Sequence, residues 1–171
     1  MEIIRFDSVL KPKGKEFEKI CIWNRFFRTK VELILTLLPA IASIVLMFFY
    51  LDIYVGVVYA VFIAYPVFIF SQFKSDIHYK LKHRDASEDA PCVITFMENG
   101  ILAEVHELNF IEQYSWLDFT TIYEKFGYYM MYNKNKLVVM VKKDDIPEHL
   151  RDAAREYINS HIDHNKCVFK R

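Results

Sequence analysis

Two uncharged stretches decide the fold: Leu33–Leu51, LILTLLPAIASIVLMFFYL, and Ile53–Phe70, IYVGVVYAVFIAYPVFIF. They contain nineteen and eighteen residues and are separated only by Asp52. As helices, each would be about 27 to 29 Å long, which matches a bilayer hydrocarbon core of roughly 30 Å. One continuous helix would be too long for that core. The sequence therefore predicts a transmembrane hairpin over residues 31–73 that turns back near Asp52.

Basic residues flank this hairpin on both sides and are missing from its turn. Arg25, Arg28 and Lys30 precede the first helix, and the second is followed by Lys74, Lys80, Lys82 and Arg84. Because the cytoplasmic flanks of membrane helices are enriched in Lys and Arg, both termini are expected in the cytoplasm. Between Leu33 and Phe70, Asp52 is the only Asp, Glu, Lys, Arg or His, so a proton relay or charged transport path is not indicated.

Composition excludes several classes of protein. A chain of 171 residues leaves room for one small domain after the hairpin. Lys plus Arg and Asp plus Glu number 22 each, so no nucleic-acid partner is indicated. The three cysteines, Cys21, Cys92 and Cys167, form neither a CxxC pair nor a disulfide framework and are expected to be reduced, as in the cytosol.

Residues 1–30 are expected to form a cytosolic segment with two elements. A short strand that returns to the sheet of the soluble domain is predicted from Ile3, Ile4 and Phe6. An amphipathic helix lying on the membrane lipid is predicted within Lys13–Lys30, where four residues lie near one helical face: Phe17, Ile20, Cys21 and Phe27. After the hairpin, residues 74–90 are assigned to a juxtamembrane linker.

From residue 91 to 171 the pattern changes to the alternation of a β domain. Cys92, Ile94 and Phe96 alternate with the residues between them, and the turn Glu98-Asn99-Gly100 predicts a hairpin with Ile101–Val105. Further strands are predicted at Phe110–Ser115, Leu117–Lys125, Phe126–Tyr132 and Leu137–Lys142, with a hairpin loop at Asn133–Lys136. So many short antiparallel strands indicate a strongly bent sheet or partial barrel.

A C-terminal helix is predicted to close this domain. Asp145 and Glu148 have capping-box spacing, and Pro147 lies in the first turn. An apolar stripe follows: Ile146, Leu150, Ala153, Tyr157 and Ile158. The predicted fold class is thus an α+β membrane protein, with an N-terminal transmembrane hairpin, a small antiparallel β domain and a closing helix.

Four segments of the domain carry a family resemblance: Phe96-Met97-Glu98-Asn99-Gly100-Ile101, then Trp116-Leu117-Asp118-Phe119 with Ile122 and Glu124, the aromatic strand Phe126–Tyr132, and Val138–Asp145. Together they resemble the YcxB-like family of bacterial membrane proteins. The resemblance implies a pleckstrin-homology-like (PH-like) domain behind a two-helix hairpin, in a bacterial inner (plasma) membrane. The family's Pro-Lys-Arg turn before the last helix is replaced by Val141–Asp145, which keeps the positive charge but lacks the proline.

Catalytic and metal-binding patterns are weak. One helix end groups four potential metal ligands, which fit a solvated terminus better than a metal site: His161, Asp163, His164 and Cys167. The residues that could be combined into a nucleophilic triad are His106, Ser115 and Asp118. Such a triad is not indicated, because no nucleophile-elbow motif surrounds Ser115. With four glycines and no GxGxxG or Walker loop, a nucleotide site is not indicated. We expect no enzymatic activity, cofactor, metal or small-molecule substrate.

The sequence offers candidates for binding a protein partner. On alternation, Tyr129 and Met131 are expected on the surface, whereas Trp116 is expected in the core and Gly100 in a structural turn. Lys142 and Lys143 are further candidates, which with Lys134 and Lys136 form either a basic rim or ordinary solvated strand ends. Because the first hairpin turn carries Glu98 and Asn99, phosphoinositide binding is not indicated by it.

These observations predict a membrane protein whose cytosolic domain binds a protein partner or its own copies. One specific role is that of an immunity-type protein that protects the cell from a toxin, which rests on analogy between folds. The alternatives are an envelope regulator or assembly adaptor, and an effector that oligomerises through the hairpin and perturbs the membrane.

Overall fold

The alternation of apolar residues produces two β-sheets in the computed structural model, which describes residues 4–9, 12–50, 52–84, 90–105, 110–134, 136–164 and 168–170. The chain divides into two compact units, Met1–Pro12 with Asp85–Arg171, and Lys13–Arg84. The first is referred to as the β unit and the second as the helical unit. The chain is α+β, and the helical unit is inserted into the sequence of the β unit.

The first sheet contains β1 (Ile4–Val9), β2 (Pro91–Met97), β3 (Gly100–Val105) and β4 (Phe110–Ser115). The strands lie in the order β1-β2-β3-β4, and all neighbours are antiparallel. The β2–β3 hairpin turns at the predicted Glu98–Asn99. Both this hairpin and the bounds of β4 confirm the sequence prediction.

Strand β1 pairs with β2 although the whole helical unit separates them along the chain. The register runs from Ile4 opposite Phe96 to Val9 opposite Pro91. Ile4 and Phe6 are buried, and the Phe6 ring meets the edge of Phe96 at 5.6 Å between centroids. The predicted N-terminal strand is confirmed. The predicted domain range, residues 91–171, therefore leaves out β1, which belongs to the same sheet.

The second sheet contains β5 (Thr121–Lys125), β6 (Tyr128–Asn133), β7 (Lys136–Lys142) and β8 (Val168–Lys170). Its order is β7-β6-β5-β8, with β5 and β8 parallel and the other neighbours antiparallel. A single hydrophobic cluster joins residues of both sheets. The predicted bent sheet or partial barrel is thus two separate four-stranded sheets around a shared core.

Two local turns move the strand ends from their predicted positions. A short 3-10 turn at Trp116–Asp118 delays β5 to Thr121, because the Ser115 and Asp118 side chains cap that turn reciprocally. Phe126 and Gly127 adopt positive φ angles of 55° and 79° and form the β5–β6 turn. Such a pair of positive φ angles matches the twist of a hairpin, so Phe126 lies in the turn and not in a strand.

The closing helix, α4, spans Arg151–His164 and is preceded by two 3-10 turns, Lys143–Asp145 and Glu148–Leu150. The Asp145 carboxylate does not cap it, because Asp145 accepts a 2.6 Å hydrogen bond from the Ser8 hydroxyl. Ala153 of the predicted stripe is exposed. The buried face instead consists of Ala154, Tyr157, Ile158 and Ile162, which belong to the shared core. Helix α4 therefore packs on the sheets as predicted, through a slightly rotated face.

The helical unit contains α1 (Gly14–Ile22), α2 (Val31–Met47) and α3 (Ile53–Lys82). A π-helical turn, Trp23–Phe27, continues α1, and the chain then bends by 69° into α2. Since α3 continues to Lys82, residues 74–82 are helical. The prediction that the linker begins at residue 74 is wrong.

Helix α1 uses its apolar face to pack within the helical unit. Ile20 is buried, Glu18 forms an ion pair with Lys74 of α3 at 3.4 Å, and the Phe26 ring stacks on Phe70 at 4.6 Å. The apolar face of the predicted amphipathic helix is thus largely covered by protein. The prediction that this face rests on lipid is wrong for Ile20, whereas Phe27 remains exposed.

Helix α2 buries small and polar residues, α3 buries Tyr59 and Ile77, and both helices expose large apolar residues. Thr36, Ala40 and Ser43 form the buried face of α2. The exposed side chains include Leu35, Leu38, Ile41, Val45, Phe48, Phe49, Val57, Val61, Val67 and Phe68. Within the described residues, the segment Val55–Lys82 is long and apolar enough to cross a membrane, and α1 with its π-turn and α2 pass that test together as one bent pair.

We expect that Phe6→Ala lowers the free energy of unfolding of the β unit by about 3 to 5 kcal/mol, because it leaves a cavity beside Phe96. The matched control is Arg5→Ala. Arg5 alternates with Phe6 and forms an exposed ion pair with Glu104 at 3.4 Å, so its loss should cost about 0.5 kcal/mol or less. Urea unfolding of the full chain, followed by Trp fluorescence, measures both. Equal effects of the two changes would contradict the assigned role of β1.

Candidate functional site

Tyr129 and Met131, the predicted surface candidates, are buried. Their exposed fractions are 2% and 0%, and both belong to the shared core. Tyr128, Met130 and Tyr132, on the opposite face of β6, are buried as well. The prediction of a partner-binding surface at Tyr129 and Met131 is wrong.

The cause of this error is that β6 is buried on both of its faces. A strand buried on both faces has no polar alternation, so a period-two pattern cannot identify which face meets solvent. The sequence Tyr128–Asn133 is apolar or aromatic until its last residue. Its aromatic character therefore indicates burial and carries no information on binding.

Lys143 is held in a network of side chains. Its Nζ contacts Glu124 Oε1 at 2.6 Å, and Nη2 of Arg155 contacts the other carboxylate oxygen at 3.2 Å. The same Nζ lies 5.7 Å from the centroid of the Tyr129 ring. Glu124 thereby links β5 to the turn before α4 and to α4 itself.

Burial and this network together perturb the pKa of the Tyr129 hydroxyl. Burial raises the pKa of Tyr129, and the Glu124 carboxylate raises it further, whereas Arg155 opposes the shift. Lys142 is half-buried and also has an interaction within the chain. Lys142 and Lys143, two of the predicted partner-binding candidates, therefore both interact within the fold.

Trp116 has the structural role predicted for it. The indole is 3% exposed and its Nε1 donates a 2.9 Å hydrogen bond to the Met97 carbonyl. Its ring contacts the rings of Phe96, Phe119, Tyr157 and His161. Trp116 thus ties the β2–β3 hairpin to α4 through the core.

Gly100 also has the predicted structural role, for a steric reason. A Cβ atom at this position would overlap the Tyr114 carbonyl oxygen and lie 2.8 Å from its carbonyl carbon. Gly100 pairs with Ser115 across the β3–β4 ladder. A glycine is therefore required where β3 and β4 approach at this end of the sheet.

The weak catalytic patterns are not assembled into a site among the described residues. Ser115 and Asp118 cap the 3-10 turn, and His106 lies outside those residues. His161 stacks on Tyr157 with centroids 4.5 Å apart, while Cys167 and the side chain of His164 are also outside them. Within the described part of the chain, three or more potential metal ligands do not come together.

The candidate functional site is a groove of about 450 Å³ in the β unit, lined by Glu112, Tyr114, Asp118, Asn133, Lys136, Leu137 and Val138. Strand β4 provides one wall, and the β6–β7 hairpin provides the other. Glu112 and Tyr114 lie opposite the inward-facing Ala103 and Ile101 of β3, so they are on the core face of the first sheet. Glu112 is nevertheless exposed, which shows that the core is open beside β4.

The groove combines polar groups with apolar residues beside it. Burial raises the pKa of Tyr114, and a hydrogen bond with Glu112 and the negative charge of Glu112 raise it further, so the hydroxyl stays protonated as a donor. Ile111 and Leu117, next to the groove along the chain, are 67% and 75% exposed. A groove whose lining mixes polar residues with Leu137 and Val138 suits an extended polypeptide.

Sequence reasoning missed this groove. Phe110–Ser115 was predicted as a strand, but the sequence does not say that β4 would end a sheet. The available signal was the pair Ile111 and Leu117, large apolar residues beside Glu112 and Asp118. Ile111 lies between the inward-facing positions of β4. An apolar residue at such a position indicates an exposed patch only when the place of the strand in the sheet is known.

We expect Trp116→Ala to lower the free energy of unfolding by about 3 to 5 kcal/mol, because it removes a buried ring and its hydrogen bond. Leu117→Ala, one residue further, should change it by about 0.5 kcal/mol or less, since that side chain is exposed. Resistance of the full chain to pulse proteolysis in urea compares the two. A tolerant Trp116 would contradict its assignment to the core.

A further expectation concerns the thiol of Cys92, which is 1% exposed. Burial raises its pKa to about 11, and the carboxylates of Asp145 and Asp7 contribute. Because the folded state holds this proton more tightly than the unfolded state, the stability linked to it is present below about pH 8.5 and is lost as the pH rises toward 11.

Alkylation by iodoacetamide tests this expectation, because only the thiolate reacts. At about pH 8, Cys92 of the folded chain should react far more slowly than Cys92 in urea, with peptide mapping to separate it from the other cysteines. Similar rates in the two states would show that the thiol is neither buried nor shifted.

Comparison of the chain with protein-family models, curated proteins and solved structures gives no match. The inference of function therefore depends on the residues and contacts described above.

Proposed function

We propose that this chain is a non-enzymatic protein of the bacterial inner membrane, in which α2 and α3 cross the bilayer and the β unit binds a protein partner or another copy in the cytoplasm. The observation that carries the proposal is the apolar surface of the helices. Only 6% of the most apolar window of α3 is buried within the protein. Exposed apolar surface of this extent is unfavourable in water by about 25 cal/mol per Å², and lipid chains remove that cost.

The lengths of the helices fit this arrangement. The 17 residues of α2 correspond to about 26 Å and the 30 residues of α3 to about 45 Å. The apolar part of α3 ends at Phe73, and Lys74 to Lys82 would extend beyond the hydrocarbon region. Asp52 precedes α3 at the turn, where the opposite interface can hydrate its charge.

The pairing of β1 with β2 supports an even number of crossings. Both strands belong to one sheet, so they must lie on the same side of any membrane. If α3 crosses the bilayer, the chain has to cross it once more between β1 and α3. Helix α2 is the apolar helix in that interval, and with the basic flanks this supports placing both termini in the cytoplasm.

A binding role for the β unit is supported by the groove beside β4. Its walls carry donors, acceptors and apolar side chains. With the resemblance to the YcxB-like family, we assign the β unit as a PH-like binding domain. An immunity-type role is the form we propose first. Capture of a toxin by the full chain from detergent extract would support this role. Capture of a regulator or an assembly factor would instead support the role of an envelope regulator or assembly adaptor.

Reporter fusions test the proposed topology. Fusions after residues 25 and 171 should be active with a cytoplasmic reporter, and a fusion after residue 52 should be active only with a reporter that works outside the cytoplasm. The full chain should also resist alkaline carbonate extraction from membranes, because the apolar helices hold it in lipid. An external C-terminus, or release of the chain by carbonate, would contradict the proposal.

A further inference from the structure

Among the described residues, β4 ends the first sheet with an edge that pairs with no other strand. In the described strand order, β4 has β3 as its only neighbour. Its register with β3 is continuous from Phe110 to Ser115, without a bulge. Ile111, Glu112 and Gln113 are all exposed. The outer backbone groups of β4 therefore face away from the sheet over a regular six-residue strand.

Natural proteins usually protect such edges with lysines, prolines, bulges or inward charges. Strand β1, at the other end of the same sheet, carries the exposed charges Arg5 and Asp7. Strand β4 contains neither lysine nor proline, and its only charge is Glu112. Phe, Ile and Tyr, which favour strands, make up half of it. Its sequence thus favours pairing with another strand.

A second β4 strand is the occupant that the sequence of this edge fits best. Two copies related by a two-fold axis would pair antiparallel, with the residue on the axis opposite its own copy. Centring on Glu112 would place two carboxylates opposite each other, which is unfavourable. Centring on Ile111 or Tyr114 would leave only three residues of each strand paired, since the strand ends at Phe110 and Ser115.

Centring on Gln113 avoids both problems. It pairs five residues of each strand, Ile111–Ser115, and places Glu112 opposite Tyr114 of the second copy, twice. The Tyr114 hydroxyl, which hydrogen bonds with Glu112 of its own copy, can exchange that acceptor for the Glu112 carboxylate of the second copy, and no carboxylate lies opposite another. Gln113 lies opposite its own copy, where the two amides can hydrogen bond with each other.

We infer that two copies of this chain associate through antiparallel pairing of their β4 strands, centred on Gln113, to form a continuous eight-stranded sheet. The inference rests on the proposed function, because it specifies the self-association proposed there. Confinement to a membrane supports it, since tethering raises the effective concentration of a small interface. The contact is closed by symmetry, so each copy uses its β4 edge once.

Cysteine cross-linking in membranes from cells that express the full chain tests this register. In the inferred pair, the two Gln113 Cα atoms lie about 4.5 to 5.5 Å apart, within the range of a disulfide. Gln113→Cys should therefore give a disulfide-linked dimer on mild oxidation. Ile111→Cys is the matched control, since it is exposed on the same face but lies about 13 Å from its copy along the strands.

The wild-type chain is the background control, because any dimer that it forms on oxidation comes from the native cysteines. A third variant combines Glu112→Lys with Gln113→Cys, and its dimer yield should fall about tenfold because both Glu112–Tyr114 pairs are lost. A dimer at Gln113→Cys alone, reduced by Glu112→Lys, supports the inference. Equal yields at positions 111 and 113, a higher yield at 111, or no dimer above the wild-type level would overturn it.

The same samples separate this inference from the proposed function. If the chain resists carbonate extraction but gives no dimer at position 113, the membrane proposal stands and the β4 pairing is wrong. If the chain is released by carbonate, the proposed function is wrong, whatever the cross-linking result.

Discussion

The pairing of β1 with β2 is the constraint on which the rest of the structure depends. It places Val9 opposite Pro91, so the helical unit leaves the sheet and returns to it at the same strand ends. Phe6 and Ile4 then complete the core that Phe96 and Trp116 occupy. Because of this closure, the sheet is complete only when the two ends of the helical unit return to neighbouring strands.

Much of the fold was predictable because local patterns determine it. Apolar runs without charge gave both long helices, and alternation with a Glu98-Asn99-Gly100 turn gave the β2–β3 hairpin. The N-terminal strand was visible in Ile4 and Phe6. The ends of elements were less predictable, since Asp145 has the right spacing for a cap but instead bonds Ser8, more than a hundred residues away along the chain.

The candidate site was not predictable, because exposure depends on how the strands pack in the folded chain. The aromatic strand Tyr128–Asn133 is buried on both faces, whereas Phe110–Ser115, half of it apolar, ends its sheet and exposes Ile111, Glu112 and Gln113. Lys143 illustrates the same limit for charge. A lysine after a strand is usually solvated, yet here Glu124 and Tyr129 hold it against the core.

The long separation between β1 and β2 also fixes an order of events during synthesis. Ile4–Val9 leaves the ribosome before its pairing partner, which follows only after both apolar helices have been made. Strand β1 therefore waits with Phe6 uncovered while the helices are synthesised, and non-local pairing of this kind is slow. Until β1 pairs, the unfilled place beside β2 leaves the sheet open to proteolysis.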